Sequence, residues 1–165
     1  MVLTVFLSIV FCMAITLLLI SAVAFVQDKK LFSSAPKEVL EVLKVRNEEL
    51  FYGARTIGWV LMILSVLTIL GIGAVSVWDG FRNGFSFTQF FLRFLVIFTV
   101  YKVYDMVFFD WFLLCKFRFF QHYYPETEPA LSGRKYGFNL KSQLLKLLVI
   151  FPAASALAAW VCTLF

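Results

Sequence analysis

Histidine is almost missing from this chain of 165 residues: His122 is the single copy, which excludes ligand sets and proton relays built on two imidazoles. Cysteine is nearly as scarce. Cys12, Cys115 and Cys162 lie far apart with no C-x-x-C spacing, so neither a metal knuckle nor a redox pair is available, and each reads as a small hydrophobe within or at the end of an apolar run. There is no P-loop, G-x-G-x-x-G, nucleophile elbow or H-E-x-x-H, and no internal repeat or low-complexity tract. Charge is thin as well. Only 15% of residues are Asp, Glu, Lys or Arg, against 62% hydrophobic and a mean hydropathy of +0.89. That is too little polar surface to clothe a soluble domain of this size.

What is abundant is apolar and aromatic, and it comes in blocks. Twenty-one phenylalanines and six tyrosines gather near the ends of apolar runs, where ring-bearing side chains favour the edge of a bilayer. The expected fold is an all-α membrane protein: one domain over residues 1–165 with four transmembrane helices at about 2–26, 57–78, 90–113 and 144–164. Ala22-Val23-Ala24 has the look of a signal-peptide cleavage site. The run before it lacks a basic start, however, and exceeds the roughly 7–15 apolar residues of a signal core, so it reads as a span. Pro152 is expected to kink the fourth span.

Between the first two spans, residues 36–52 read as an amphipathic surface helix. Ser34 is placed to cap it, Pro36 suits its first turn and Gly53 its end, while Lys37–Glu41 and Lys44–Glu48 stand four apart. Val39, Leu43 and Leu50 supply a modest apolar stripe on another face. Residues 27–55 carry Lys29, Lys30, Lys37, Lys44, Arg46 and Arg55; residues 116–141 carry Lys116, Arg118, Arg134, Lys135 and Lys141. The turn between the second and third spans holds Arg82 alone, and the termini hold no basic side chain. Basic loops stay cytoplasmic, so both long loops are expected inside and both termini outside a cell membrane. The net charge of +5 is thereby an orientation signal, and no nucleic-acid partner is expected.

The third span holds Arg93, Lys102, Asp105 and Asp110 among Phe, Val and Leu. Counting from Phe90, about twenty residues at 1.5 Å each reach the inner boundary near Phe109. Arg93 is then expected to snorkel outward and Asp110 to reach the inner headgroups, leaving Lys102 and Asp105 within hydrocarbon. Their i,i+3 spacing puts them on one helix face as an ion pair, read either as structural glue or as a polar pocket, with Tyr101 and Tyr104 close enough to supply hydrogen bonds. Lys116 to Tyr124 interleaves bases and rings, which suits an inner-leaflet segment. There Lys116, Arg118, Tyr123 and Tyr124 would meet anionic lipid headgroups. His122, Glu126 and Glu128 form the one grouping that resembles a metal or acid–base site, and their spacing matches no known ligand frame, so no metal or cofactor is expected. In the fourth span Ala154 and Ala158, and Ser155 and Ala159, have the small-x-x-x-small spacing of close helix packing; Gly71 and Gly73 offer the same in the second.

Asp110-Trp111, Pro125-Glu126-Thr127-Glu128 and Tyr136-Gly137-Phe138 with Lys141 resemble segments of small four-span membrane proteins of bacteria with no assigned activity. The resemblance covers about a third of the chain and implies only that these positions belong to one cytoplasmic-side feature. The function expected is non-enzymatic, a membrane component that binds a protein partner or its own copies. One alternative is a small transporter or channel built on Lys102 and Asp105. The other is a lipid-modifying enzyme at the inner leaflet, with Asp105 or Asp110 as acid or base and His122 as partner.

Overall fold

Apolar runs of this length fold as helices because a helix satisfies every backbone polar group within itself. The computed structural model describes residues 2–32, 35–46, 48–133 and 140–164, and among them there are helices and no strands. Helix α1 covers Val2–Ile20 and continues as a π-helix over Ser21–Val26. Helix α2 is short, Lys37–Val42. Helix α3 covers Ala54–Arg82. Helix α4 covers Phe87–Tyr104 and continues as a π-helix over Asp105–Lys116. Two short helices follow, α5 (Phe119–Tyr123) and α6 (Glu128–Leu131). Helix α7 starts at Leu140–Leu145, passes through a π-helical turn at Lys146–Ile150 and ends with Phe151–Cys162. The π-helical turn ends at Ile150, two residues before Pro152, whose missing N–H and ring bulk disturb a regular ladder.

Three helices are long and apolar enough to cross a membrane: Val2–Val26, Ala54–Arg82 and Ser142–Cys162. Helix α4 is also long, but it carries Arg93, Lys102, Asp105, Asp110 and Lys116. Helix α1 packs against both α3 and α4, and α7 packs mainly on α4. Contact between α1 and α3 depends on Gly58, where a Cβ would stand 2.7 Å from Val26 Cγ2 and 2.8 Å from Phe25 Cβ. In α7, Ser155 and Ala159 are fully buried and Ala159 packs on Phe90 and Phe94, so this pair of small residues is used within the chain. Ala154 stays exposed, and Gly71 and Gly73 meet no neighbouring atom.

Phe11 packs edge-on to Tyr101, and Thr16 Oγ1 shares a 2.9 Å hydrogen bond with the Tyr104 hydroxyl. Helices α1 and α4 therefore run in the same sense, and their π-helical ends lie at one end of the array. The π-helical start of α7 joins them there, tied by Gln143 to Asp110. Over this end sits a cap made by both long loops. Its core joins Phe32, Val39 and Leu43 from the first loop to Phe120, Tyr124 and Leu131 from the second, resting on Val23 and Leu114.

The cap departs from the expected surface helix over 36–52. The helix stops at Val42, and Leu43 turns to extended backbone. Competing tertiary bonds explain the stop. The Leu43 carbonyl accepts from Lys29 Nζ at 3.0 Å, the Lys44 N–H donates to Glu126 at 3.3 Å and Arg46 pairs with Glu126 at 3.1 Å. Lys44 and Glu48 consequently do not stand on one helical face, and Leu50 is exposed. The expected cap residue Ser34 lies outside the described residues.

Candidate functional site

Polar side chains collect in two places, along α4 and within the cap. At the start of α4, Arg93 is 5% exposed and does not snorkel as expected. Its guanidinium pairs with Asp79 of α3 at 2.7 Å, donates to the Ser76 carbonyl at 3.0 Å and stands over the Phe85 ring at 4.3 Å. The tight turn after α3 makes this possible. Gly84 takes a left-handed φ of 61°, the Phe85 N–H returns to the Gly80 carbonyl at 2.9 Å, and Ser86 and Gln89 form a capping box that starts α4.

Further along α4, Lys102 is 3% exposed and pairs with Asp105, as the i,i+3 spacing requires. Asp105 begins the π-helical stretch that also carries Asp110. Asp110 is buried and accepts a 2.9 Å hydrogen bond from Gln143 of α7. It is thus turned toward α7, where the sequence had placed it at the headgroups. Tyr104 bonds to Thr16, and the Tyr101 ring packs between Phe11 and Phe151. These contacts join α1, α4 and α7 at one level. Wide π-helical turns recur at functional sites, because they expose backbone carbonyls and re-aim side chains.

Two cavities lie at the cap. One, of about 720 Å³, is walled by Lys44, Glu48, Glu49, His122, Tyr123 and Glu126. The other, of about 580 Å³, opens where α1 ends and α3 begins. Lys102, Asp105 and Asp110 line neither.

The proposed acid–base set is not assembled. His122 is exposed beside Glu126, and no hydrogen bond among the described residues links it to Asp105 or Asp110. The carboxylates expected near it are engaged elsewhere: Glu126 holds Arg46, and Glu128 holds Arg118 at 2.8 Å. No three His, Cys, Asp or Glu side chains group into a metal-sized cluster among the described residues.

The aromatic-basic segment divides in two. Lys116, Phe117 and Arg118 are exposed, with Lys116 Nζ 5.9 Å from the Trp111 ring, and Tyr123 is half-buried. Phe120 and Tyr124 turn the other way, into the cap core. Tyr124, expected at the lipid interface, is fully buried against Phe32 and Phe120, with Arg46 over its ring at 5.2 Å. Burial pushes its phenol above the ordinary tyrosine range, an effect that Arg46 opposes. Arg134, Lys135, Tyr136, Gly137 and Phe138 lie outside the described residues, and the Lys141 side chain is not described.

Sequence reasoning used Lys29, Lys30, Arg46 and Arg55 only to orient the loops. The structure brings all four to the wall of one cavity. The available signal was positional: Lys29-Lys30 comes within four residues of the end of the first apolar run and Arg55 within two of the start of the second. Compared with known proteins, the chain matches no protein family, no curated sequence and no solved structure.

Proposed function

We propose that this is a non-enzymatic, four-span membrane protein that works by binding another membrane protein or further copies of itself. In this reading α4 also crosses the membrane, as the third of four spans in chain order, the cap faces the cytoplasm and both termini lie outside. Lys116, Arg118 and Tyr123 rest on anionic headgroups of the inner leaflet, beside a surface segment centred on α2.

The observation that carries the reading is the closure of Lys102. It is buried, paired with Asp105 one turn along the same helix, and in the lining of neither cavity at the cap, as expected of a charge neutralised within the bundle. The apolar surface free for partners lies on the outer helices. Leu148, Val149, Leu157, Trp160 and Val161 of α7, and Ile63, Leu64, Leu67 and Leu70 of α3, are all exposed. Light scattering of the protein purified in mild detergent tests this. A homo-oligomer, or a stoichiometric complex that survives dilution, is expected; a monodisperse monomer without a stoichiometric partner overturns it.

A second reading, a small transporter or channel, draws support from the π-helical Asp105–Lys116 stretch, which holds Asp105 and Asp110 next to Lys102 and Gln143. Flux in liposomes separates the two. If Lys102→Met with Asp105→Leu folds and leaves ion or solute flux unchanged, transport through this pair is ruled out.

A further inference from the structure

Four basic side chains converge where two apolar helices leave the membrane, and nothing in the binding proposal above uses them. The cavity of about 580 Å³ is walled by Lys29, Lys30, Arg46 and Arg55, with Asp28 as its single acid. Val26, the last residue of α1, and Trp59, in the second turn of α3, form its apolar side. Volumes of this order hold small ligands, and a headgroup with its glycerol fits comfortably.

Three of the four cations are held by hydrogen bonds and still have donors to spare, while the Lys30 side chain is exposed. Lys29 uses one of its three N–H groups on the Leu43 carbonyl. Arg55 uses Nη2 on the Arg46 carbonyl at 3.2 Å. Arg46 uses Nη2 on Glu126, while its Nε is buried with no hydrogen-bond partner among the described residues. No described ion pair neutralises Lys29, Lys30 or Arg55. Asp28 accepts the Lys30 N–H at 2.9 Å, which fixes the backbone of the tight turn after Gln27, a residue in left-handed backbone with φ 54°. Lys29, Lys30 and Arg55 are thus gathered around one space with no described ion pair of their own, and only Arg46 is paired, to Glu126. Such an arrangement favours an anion that accepts several charge-assisted hydrogen bonds at once, and a phosphate offers that geometry to a guanidinium fork.

We propose that this cavity binds a phosphate group, with Lys30 and Arg55 as its principal ligands and Lys29 and Arg46 supporting them. The position argues for the source. Trp59 is 43% exposed and is the kind of side chain that settles at a bilayer edge. Val26 and Trp59 border the basic wall, so a lipid can place its phosphate on the bases and its acyl chains along α1 and α3. The assignment depends on α1 and α3 crossing the membrane and is independent of what the protein binds through its outer helices.

Native mass spectrometry of the detergent-purified chain tests it, with phosphatidylglycerol as the lipid probe and glycerol phosphate as the soluble one. The unmodified protein is expected to retain phosphatidylglycerol. Lys30→Gln with Arg55→Gln is expected to weaken retention by about tenfold or more, since each charge-assisted bond contributes at that scale. Lys30→Arg with Arg55→Lys keeps both charges and should restore retention, which separates loss of the ligands from loss of folding. Lys37→Gln with Arg82→Gln removes two charges elsewhere and should change nothing. Failure of glycerol phosphate to compete identifies the lipid as the source; competition at equal strength identifies a phosphate site fed from solution. The proposal is overturned if phosphatidylglycerol is not retained, or if the two charge-removing variants lose it equally.

Discussion

Arg93 and Asp79 meet at 2.7 Å across the turn that joins α3 to α4, and the guanidinium side of the pair is only 4% exposed. Fourteen positions separate them in the sequence, yet the turn folds one helix back on the other so that a buried base finds its acid. The pair is therefore asymmetric. Removing Asp79 strands a buried cation, whereas removing Arg93 leaves a carboxylate that retains some access to water. Asp79→Ala is expected to destabilise the folded protein by about 3 kcal/mol, and Arg93→Met by less. Joint replacement, Asp79→Leu with Arg93→Met, should recover most of the loss. Thermal unfolding of the four proteins in one detergent measures this; equal effects from the two single changes would contradict the assigned asymmetry.

Gly80 lies under the ring of Phe90, so close that an added Cβ would collide with it, and Phe90 is 1% exposed. Gly58 has the corresponding role between α3 and α1, with Val26 at 2.7 Å from the position of a Cβ. Alanine at either site must push a helix or a buried ring aside, which costs about 1–3 kcal/mol. Gly71 and Gly73 are open, so Gly71→Ala should be neutral or slightly stabilising through better helix propensity. A side-by-side melting series over Gly58, Gly71 and Gly80 checks the helix contacts residue by residue.

Tyr124 supplies the cap with a fully buried ring whose hydroxyl finds no hydrogen-bond partner among the described residues. Tyr124→Phe should therefore be neutral or mildly stabilising, since it removes an unsatisfied polar group and keeps the ring. Tyr124→Ala should cost about 3–5 kcal/mol through the cavity it leaves. The pH dependence follows from the direction of the phenol's shift. Its affinity for the proton is higher folded than unfolded. The contribution is thus fully present below about pH 10, the ordinary tyrosine value, and declines as the pH rises through the folded value. Tyr124→Phe should flatten that alkaline decline in a urea or thermal titration.

The apolar helices were legible because a helix satisfies its backbone polar groups within itself along a long apolar run, and such runs are visible without a fold. The first covers its expected 2–26, whereas the second, expected at 57–78, extends over Ala54–Arg82. Lys102 with Asp105 was legible because both partners lie within one helical turn. Asp110 with Gln143 was not, being an interhelical bond across 33 positions. The cap was hidden for the same reason. Phe120 and Tyr124 suit a bilayer edge or a protein core equally well by composition, and only the arrival of Val39 and Leu43 decides between them. The stop in α2 depends on Lys29 and Glu126, 14 and 82 positions away from the groups they bind, and no local pattern of caps or charges records that.

Sidedness tests the account most directly, because the proposed four spans, the proposed cytoplasmic face of the cap and the proposed lipid site all depend on it. With Cys12, Cys115 and Cys162 replaced, single cysteines can be introduced at three exposed positions: Lys37 and Ser132 in the cap, and Asn83 in the turn between α3 and α4. A maleimide that cannot cross the bilayer should label Asn83→Cys in intact cells, and Lys37→Cys and Ser132→Cys only after the membrane is opened. Labelling of the cap positions in intact cells would invert the orientation, and identical accessibility of Asn83→Cys and Ser132→Cys would mean that α4 does not cross.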